Sequence, residues 1–477
     1  MAKDTPRGND QAEEIQRQIN QAFKELEQIR NTRHSITSPA DLQAAETMII
    51  RATDKLAALM TALKIQEAVD SDDLKEKADQ LVQSMPLKLK NQGRRLVSIQ
   101  TSRGEPVKVA APYFNRKKRR KRKKKEKIAH EGSFYPRLLL QGVYDHCTPS
   151  MSSEVSMLVA MLSSFEETSR IFKDRGVCLG VNTIRRIAQR YAGRAKIAQG
   201  IEQYPVSDTL SQRRVIISTD GGRIRIRKNK RGPRTKKNRR RYTTHWREPK
   251  LVMVYTVDVN GKMDRNFIPV IEGTLKGPDA VFGLLRYHLS QLNISAADKI
   301  LFVADGARWI WNRIPELIKS LGLSGSNVCE LVDFYHAVEH LAKAADFKKN
   351  WKRSEKKRWV KKHRHLLLKG HTEQVIAAIK ALCRGRNSKD ISRELNYFVR
   401  NQHRMQYGEI SELKFPIGSG AMESAIRRVV NLRMKGAGIY WLEKTAEAML
   451  MLRSYYKAGR WNLLKKLSFS LAFLTNP

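Results

Sequence analysis

The chain has 477 residues, with 91 Lys and Arg against 47 Asp and Glu, a formal net charge of +44. So large an excess goes beyond what solubility needs and points to a polyanionic partner, double-stranded DNA above all. Cys147, Cys178, Cys329 and Cys383 lie far apart with no metal-binding spacing, so free thiols are expected rather than disulfides, and no zinc is expected. The N-terminus MAKDTPRGND lacks an apolar leader, and no window reaches the roughly eighteen apolar residues of a membrane helix. The expectation is a cytoplasmic, nucleoid-associated bacterial protein with no membrane contact.

Residues 1–110 read as an N-terminal helical region. Ile15, Ile19, Phe23, Leu26 and Ile29 recur at helical spacing, and a second helix covers roughly 40–63 from the Ser38-Pro39 punctuation. A basic linker follows over 111–130, where eleven of the twelve residues from Arg116 to Lys127 are Lys or Arg. Such a block repels itself and cannot pack. It reads as a phosphate-binding arm, with Lys117 and Arg119 among its contacts.

Residues 131–205 read as a helix-turn-helix DNA-binding domain. Ser164 to Glu167 has the form of a capping box, and that helix runs through Ile171 and Phe172. A turn follows with Gly176 and Gly180, and a second helix starts near Val181. Its inner face carries Val181, Ile184, Ile187 and Tyr191; its outer face carries Asn182, Thr183, Arg185, Arg186 and Arg190. Arg185 and Arg186 are the expected DNA contacts of this polar-basic helix.

Beyond residue 206 the period changes. Strands are predicted at 215–219, 251–259, 266–273, 299–304 and 327–334, with helices at 277–292, 307–322 and 335–345. Three consecutive strands followed by alternating helix and strand describe a mixed sheet covered by helices. Residues 346–409 are charged and helical and read as an all-α insertion. A last helix opens at IGSG, 417–420, with Ser419 as its N-cap. Residues 410–460 complete the sheet domain, and 461–477 form a tail.

Two of these strands close on a carboxylate followed by glycine: VIISTDGG at Asp220 and LFVADGA at Asp305. Asp-Gly is a common turn pair, and either alone would pass as one. A third acid, Glu423, stands in the first turns of an Arg-rich helix. Three converging carboxylates repel one another, and a hard divalent cation, Mg²⁺ or Mn²⁺, removes that conflict. Two such ions roughly 3.5–4 Å apart can activate water and stabilise the leaving oxygen of a phosphodiester.

STDGG, VADGARWIW and GSGAMESA together resemble the three acidic blocks of the DDE transposases of bacterial insertion sequences. VDFYHAVEHL, 332–341, resembles the Asp-x-x-His block of Mutator-like members, here Asp333 and His336. The segment 434–461 is similar to the tail after the catalytic Glu. The resemblance covers about 213–461 and, loosely, 150–193; it does not reach the first 130 residues. It implies an RNase H-like mixed five-stranded sheet flanked by helices, with Asp220, Asp305 and Glu423 as catalytic metal ligands and Asp333 and His336 beside them. The implied activity is cleavage at element ends followed by attack of the freed 3′-hydroxyl on target DNA. Synapsis of two ends implies at least a homodimer.

The stretch 223–241 follows the first acid, and twelve of its nineteen residues are Lys or Arg. Strand-like alternation puts Arg223, Arg225 and Arg227 on one face; these, with Lys228, Arg239, Arg240 and Arg427, are expected to hold phosphates. In the insertion, Trp351 and Trp359 stand among basic residues. Three other readings compete. The run His336 to His340 matches the HxxEH pattern of inverted zinc peptidases. A domesticated transposase would bind DNA without cutting. A related nuclease would cut without strand transfer.

Overall fold

The Ser38-Pro39 pair opens a long helix as its chemistry dictates. Ser38 Oγ accepts from Asp41 N, the Asp41 carboxylate accepts from Ser38 N, and Pro39 occupies the first turn. The computed structural model describes residues 8–32, 35–85, 89–116, 134–201, 203–205, 208–236, 238–383 and 389–471. Lys117 and Arg119 lie outside them. The chain forms two compact units, residues 1–201 with 465–477, and residues 202–464. Among the described residues no helix is long and apolar enough to cross a membrane. Cys147, Cys178 and Cys329 are free thiols.

In the first unit, helices Gly8–Asn31, Pro39–Asp70 and Asp72–Ser84 precede an antiparallel hairpin, β1 (Leu89–Ile99) and β2 (Val107–Arg116). The sequence reading made 1–110 helical and began the linker at 111; both boundaries are corrected by this hairpin. Val97, Ile99, Val107, Val109 and Ala111 of the hairpin share a core with Ala58, Leu59, Ala62, Ile65 and Val69 of the long helix and with Ile15 and Ile19. Gln66, fully buried, ties the two together: its amide donates to Ala110 O at 3.1 Å and accepts from Ala110 N at 2.8 Å. The apolar stripe of the first helix turns toward Ala22 and leaves Phe23 49% exposed.

Helices Pro149–Met161, Phe165–Asp174 and Val181–Ala198 complete this unit. Ser164 Oγ caps Glu167 N at 3.0 Å, and Gly176 supplies a positive φ of 76° in the turn. Ile184, Ile187 and Tyr191 are buried, as their spacing predicted. The outer face is less free than its sequence suggests. Asp145 pairs with Arg190 and lies 3.7 Å from Arg186, so part of that charge is neutralised within the chain.

The second unit is built on a five-stranded mixed sheet flanked by helices. Its strands are β3 (Arg214–Gly221), β6 (Lys250–Val257), β7 (Val270–Thr274), β8 (Lys299–Ala304) and β9 (Val328–Val332), in the spatial order β7-β6-β3-β8-β9. β3 pairs antiparallel with β6 and parallel with β8; β8 pairs parallel with β9. Every residue of β6 is buried, as a central strand covered on both faces requires. Between β3 and β6 the chain forms a separate antiparallel ribbon, β4 (Ile224–Asn229) and β5 (Tyr242–Arg247). The segment read as an insertion folds as helices Arg353–Leu368, Thr372–Cys383 and Lys389–Asn401.

A candidate active site at the strand ends

The parallel register decides where the strand-end acids fall. Ile217 pairs with Phe302, and Asp220 and Asp305 each stand three residues further on, which puts them level at the same sheet end. Ala304 pairs with Val332, so Asp333 is level with Asp305. Three carboxylates thus occupy the C-terminal ends of three neighbouring parallel strands, the place where open α/β sheets bind ligands.

Burial raises the Asp220 carboxyl to about 6, opposed by the hydrogen bond from Gly221 N and reinforced by Asp305. Burial likewise raises Asp305, whose Oδ1 accepts from Ala307 N at 3.1 Å. Each therefore carries a desolvation cost that a cation would relieve. The glycines that follow are required by close approach. A Cβ at Gly221 would lie 2.1 Å from Glu248 Oε1, and one at Gly306 would lie 2.3 Å from Tyr397 Cε2. What the glycines admit is thus the chain's own side chains.

Asp333 is fully buried and spends both oxygens on three backbone N–H groups and one hydroxyl. Oδ1 accepts from Tyr335 N at 2.6 Å and His336 N at 3.0 Å; Oδ2 accepts from Ser419 N and, at 2.5 Å, from Ser419 Oγ. Burial pushes this carboxyl up, but the bonds from His336 and Ser419 prevail and hold it well below the usual range. It caps helix Phe334–Ala345 and fastens that cap to the turn that launches helix Gly420–Ile426, which carries Glu423. The N-cap expected of Ser419 is corrected in one respect: it stands at that position, but its hydroxyl bonds Asp333 rather than its own helix.

His336 Nδ1 lies 3.5 Å from Asp333 Oδ1, and that carboxylate raises the imidazole to about 9 against the effect of burial. The imidazolium also acts on Asp220 and Asp305 and lowers both. It is the compensating charge that the chain itself supplies. Among the described residues, the one group of acids and histidines closing to ligand spacing is Asp333, His336 and Glu423, within 4.8 Å of one another. Asp220, Asp305 and Glu423 are not a group with every ligand atom within 4.8 Å of the others, a spacing that a shared pair of ions does not require. The five residues form two neighbouring groups, Asp220 with Asp305 and Glu423 with Asp333, joined through His336. Of these, Asp220 and Asp305 have the donor set for Mg²⁺ or Mn²⁺: carboxylate oxygens, partly buried, with one capping bond each. Glu423 is exposed and lies within ligand spacing of Asp333 and His336. Asp333, fully committed to caps, and a protonated His336 suit a supporting place.

Two participants escaped the sequence. Glu248 acts electrostatically on both Asp220 and Asp305 and pairs with Lys250 at 3.0 Å. The one available signal was that it is the first acid after Asp220, beyond 27 residues with none. Tyr397, from the helical segment, packs against Gly306 with its hydroxyl buried and no hydrogen-bond partner among the described residues. The other half of the HxxEH pattern turns away: His340 bonds Glu394 at 2.5 Å and stacks on Tyr397 at 3.6 Å. Arg223, Lys228, Arg239, Arg240 and Arg427 are exposed, and Arg225 and Arg227 half-buried, all beside or beyond these acids in the chain. Arg185 and Arg186 belong to the first unit.

Comparison with family models, with curated proteins and with solved structures returns no match.

Proposed function

We propose that this chain is a metal-dependent DNA transposase whose 202–464 unit is an RNase H-like nuclease. The observation that carries the reading is the set of acids level at the ends of adjacent parallel strands, with a basic ribbon leaving from the first of them. Asp220, Asp305 and Glu423 would hold the divalent ions, which when bound supply charge for the developing oxyanion and an acidified water. Asp333 fixes the launch of the Glu423 helix. His336 offsets the strand-end charge, and the ribbon arginines position the phosphodiester. In-line attack by water would break the P–O3′ bond at an element end and free its 3′-hydroxyl, and in-line attack by that hydroxyl on a target phosphorus would form the new P–O bond as the target strand's own 3′-oxygen leaves. The 165–198 helix pair would recognise the terminal repeats, although Asp145 leaves Arg185 the freer of the two expected contacts there.

The test is a plasmid carrying the gene with its flanking DNA, incubated with Mg²⁺ or Mn²⁺ and either the natural chain or Asp305→Asn. Cleavage at the flanks and joined products, both abolished by Asp305→Asn, are expected. Cutting without joining would leave the simpler nuclease, and binding without either would leave a DNA-binding protein. Self-association is proposed through helix Pro39–Asp70, where Leu42 and Ile49, one heptad apart, are 48% and 47% exposed. Glutamates at both positions should give a monomer by light scattering; a retained dimer refutes this contact. Deleting residues 1–85 would be a poorer test, because it removes eight of the fifteen residues in the core that these helices share with the hairpin.

A further inference from the structure

We propose that the outer face of the β4–β5 ribbon is a binding platform for unpaired bases of a DNA strand. The ribbon is two-faced. Ile224 and Ile226 are buried on one side, while Arg223, Arg225 and Arg227 point the other way. The register sets Trp246 opposite Arg225 and Thr244 opposite Arg227, with Tyr242 at the far end. Trp246 is 49% exposed and Tyr242 42% exposed. Three arginines and two open aromatic rings therefore share one surface.

The rings and the charges interleave. The guanidinium of Arg223 lies 5.2 Å and that of Arg225 5.5 Å from the Trp246 centroid, and Arg225 also lies 4.8 Å from Tyr440. Arg227 stands 5.7 Å from Tyr242, whose ring is 5.8 Å from that of Tyr440. These separations bring cation and ring together without sealing the rings from solvent. The platform is also fixed. Arg227 N donates to Trp441 O at 2.8 Å, Trp441 N donates to Arg225 O at 3.0 Å, and Arg225 Nη2 donates to Gly436 O at 2.8 Å. Trp441, 4% exposed, anchors this edge through its own bond to Met434 O.

Charge selects the occupant. Residues 221–247 hold thirteen Lys and Arg and no acid, so the surface calls for a polyanion. An intact duplex would satisfy the arginines but offers no base face to an indole. A strand with unpaired bases satisfies both, phosphate on guanidinium and base on ring. Arg223 stands three residues after Asp220, so bases held here would adjoin the strand-end carboxylates. That last placement rests on the nuclease reading above; the binding of unpaired bases does not. The substrate form it implies is DNA opened next to the scissile phosphate.

The test is fluorescence anisotropy of the full chain, without divalent ions, with one labelled oligonucleotide offered single-stranded and as a duplex. Loss of one stacked base is worth about 1–3 kcal/mol, so Trp246→Ala should weaken single-strand binding roughly 5- to 150-fold. Duplex affinity should change less than about twofold, and the salt dependence of both should stay the same because no charge is removed. Trp246→Phe should restore most of the single-strand affinity, and unchanged thermal melts of both variants show that the fold is kept. An equal loss for single strand and duplex, no loss for either, or displacement of the strand by an equally charged acidic peptide at similar concentration would overturn the proposal. If Trp246→Ala behaves as expected while no metal-dependent cleavage is found, the platform stands and only its place beside a scissile bond falls.

Discussion

Asp333→Asn tests the arrangement of the site at one atom. The wild-type carboxylate accepts four bonds, two at Oδ1 and two at Oδ2, inside a fully buried pocket. An asparagine of the same shape keeps one oxygen and turns an NH₂ group toward two donors. Each buried donor left unpaired costs about 1–3 kcal/mol, so the loss is about 2–6 kcal/mol. For a unit of this size, even the lower figure lowers the melting temperature by about 4–8 °C. Ser419→Ala, which removes one hydroxyl and leaves the other three donors paired, should cost only about 1 kcal/mol. A second readout is pH. His336, raised to about 9 by Asp333, contributes stability that is fully present below its ordinary value near 6.5 and is lost as pH rises through 9. The stability gap between wild type and Asp333→Asn should therefore narrow from pH 7 to above 9. A melting temperature within about 2 °C of wild type, with a gap independent of pH, would refute the claim that this carboxylate ties the two helix starts together.

Gly306→Ala drives a methyl into the Tyr397 ring and toward Asn401 Nδ2, 3.0 Å away, and should cost about 1–3 kcal/mol in chemical denaturation. Arg453, 2% exposed, donates to Val429 O at 2.6 Å and to Arg428 O, carbonyls of the π-turn that follows the Glu423 helix. Arg453→Met should strip both and lower stability by about 2–6 kcal/mol, with a melt unchanged from wild type as the refuting result. Divalent binding should be proton-competitive. Because Asp220 sits near 6, calorimetric Mn²⁺ affinity should be level above that pH and fall as pH drops through it, and Asp220→Asn should weaken the dependence and leave the part due to Asp305.

The sheet was legible because its strands are apolar runs closed by turn residues. KILFVA, predicted at 299–304, is the observed β8, and VIIST lies inside β3. Helix starts were legible where a polar cap precedes a periodic run, as at Ser38 and Ser164. The β1–β2 hairpin was not. LKNQGRRLVSI carries three of its four apolar residues in its last four positions, and its partner VKVAAPYFNR runs into the basic block, so neither alternates cleanly. What makes that pair a hairpin is the long helix against which Val97, Ile99, Val107 and Val109 pack, a contact between distant parts of the chain.

The site divides along the same line. Asp220 and Asp305 were visible because local signals, a buried strand and the turn that ends it, coincide at each. Their neighbours depend on register and on bonds across long sequence separations. Asp333 reaches Ser419 across 86 positions, and Glu248 lies beside Asp220 because β6 runs back antiparallel along β3. No periodicity within either segment encodes such a meeting. His336, half-buried, belongs to the same set: the Asp-x-x-His block placed it beside the acids, and the fold sets it within ligand spacing of Glu423. It stands within electrostatic reach of both strand-end acids, so its charge offsets theirs. A sequence shows which residues can bear charge; which charges must neutralise one another follows only once the strands are in register.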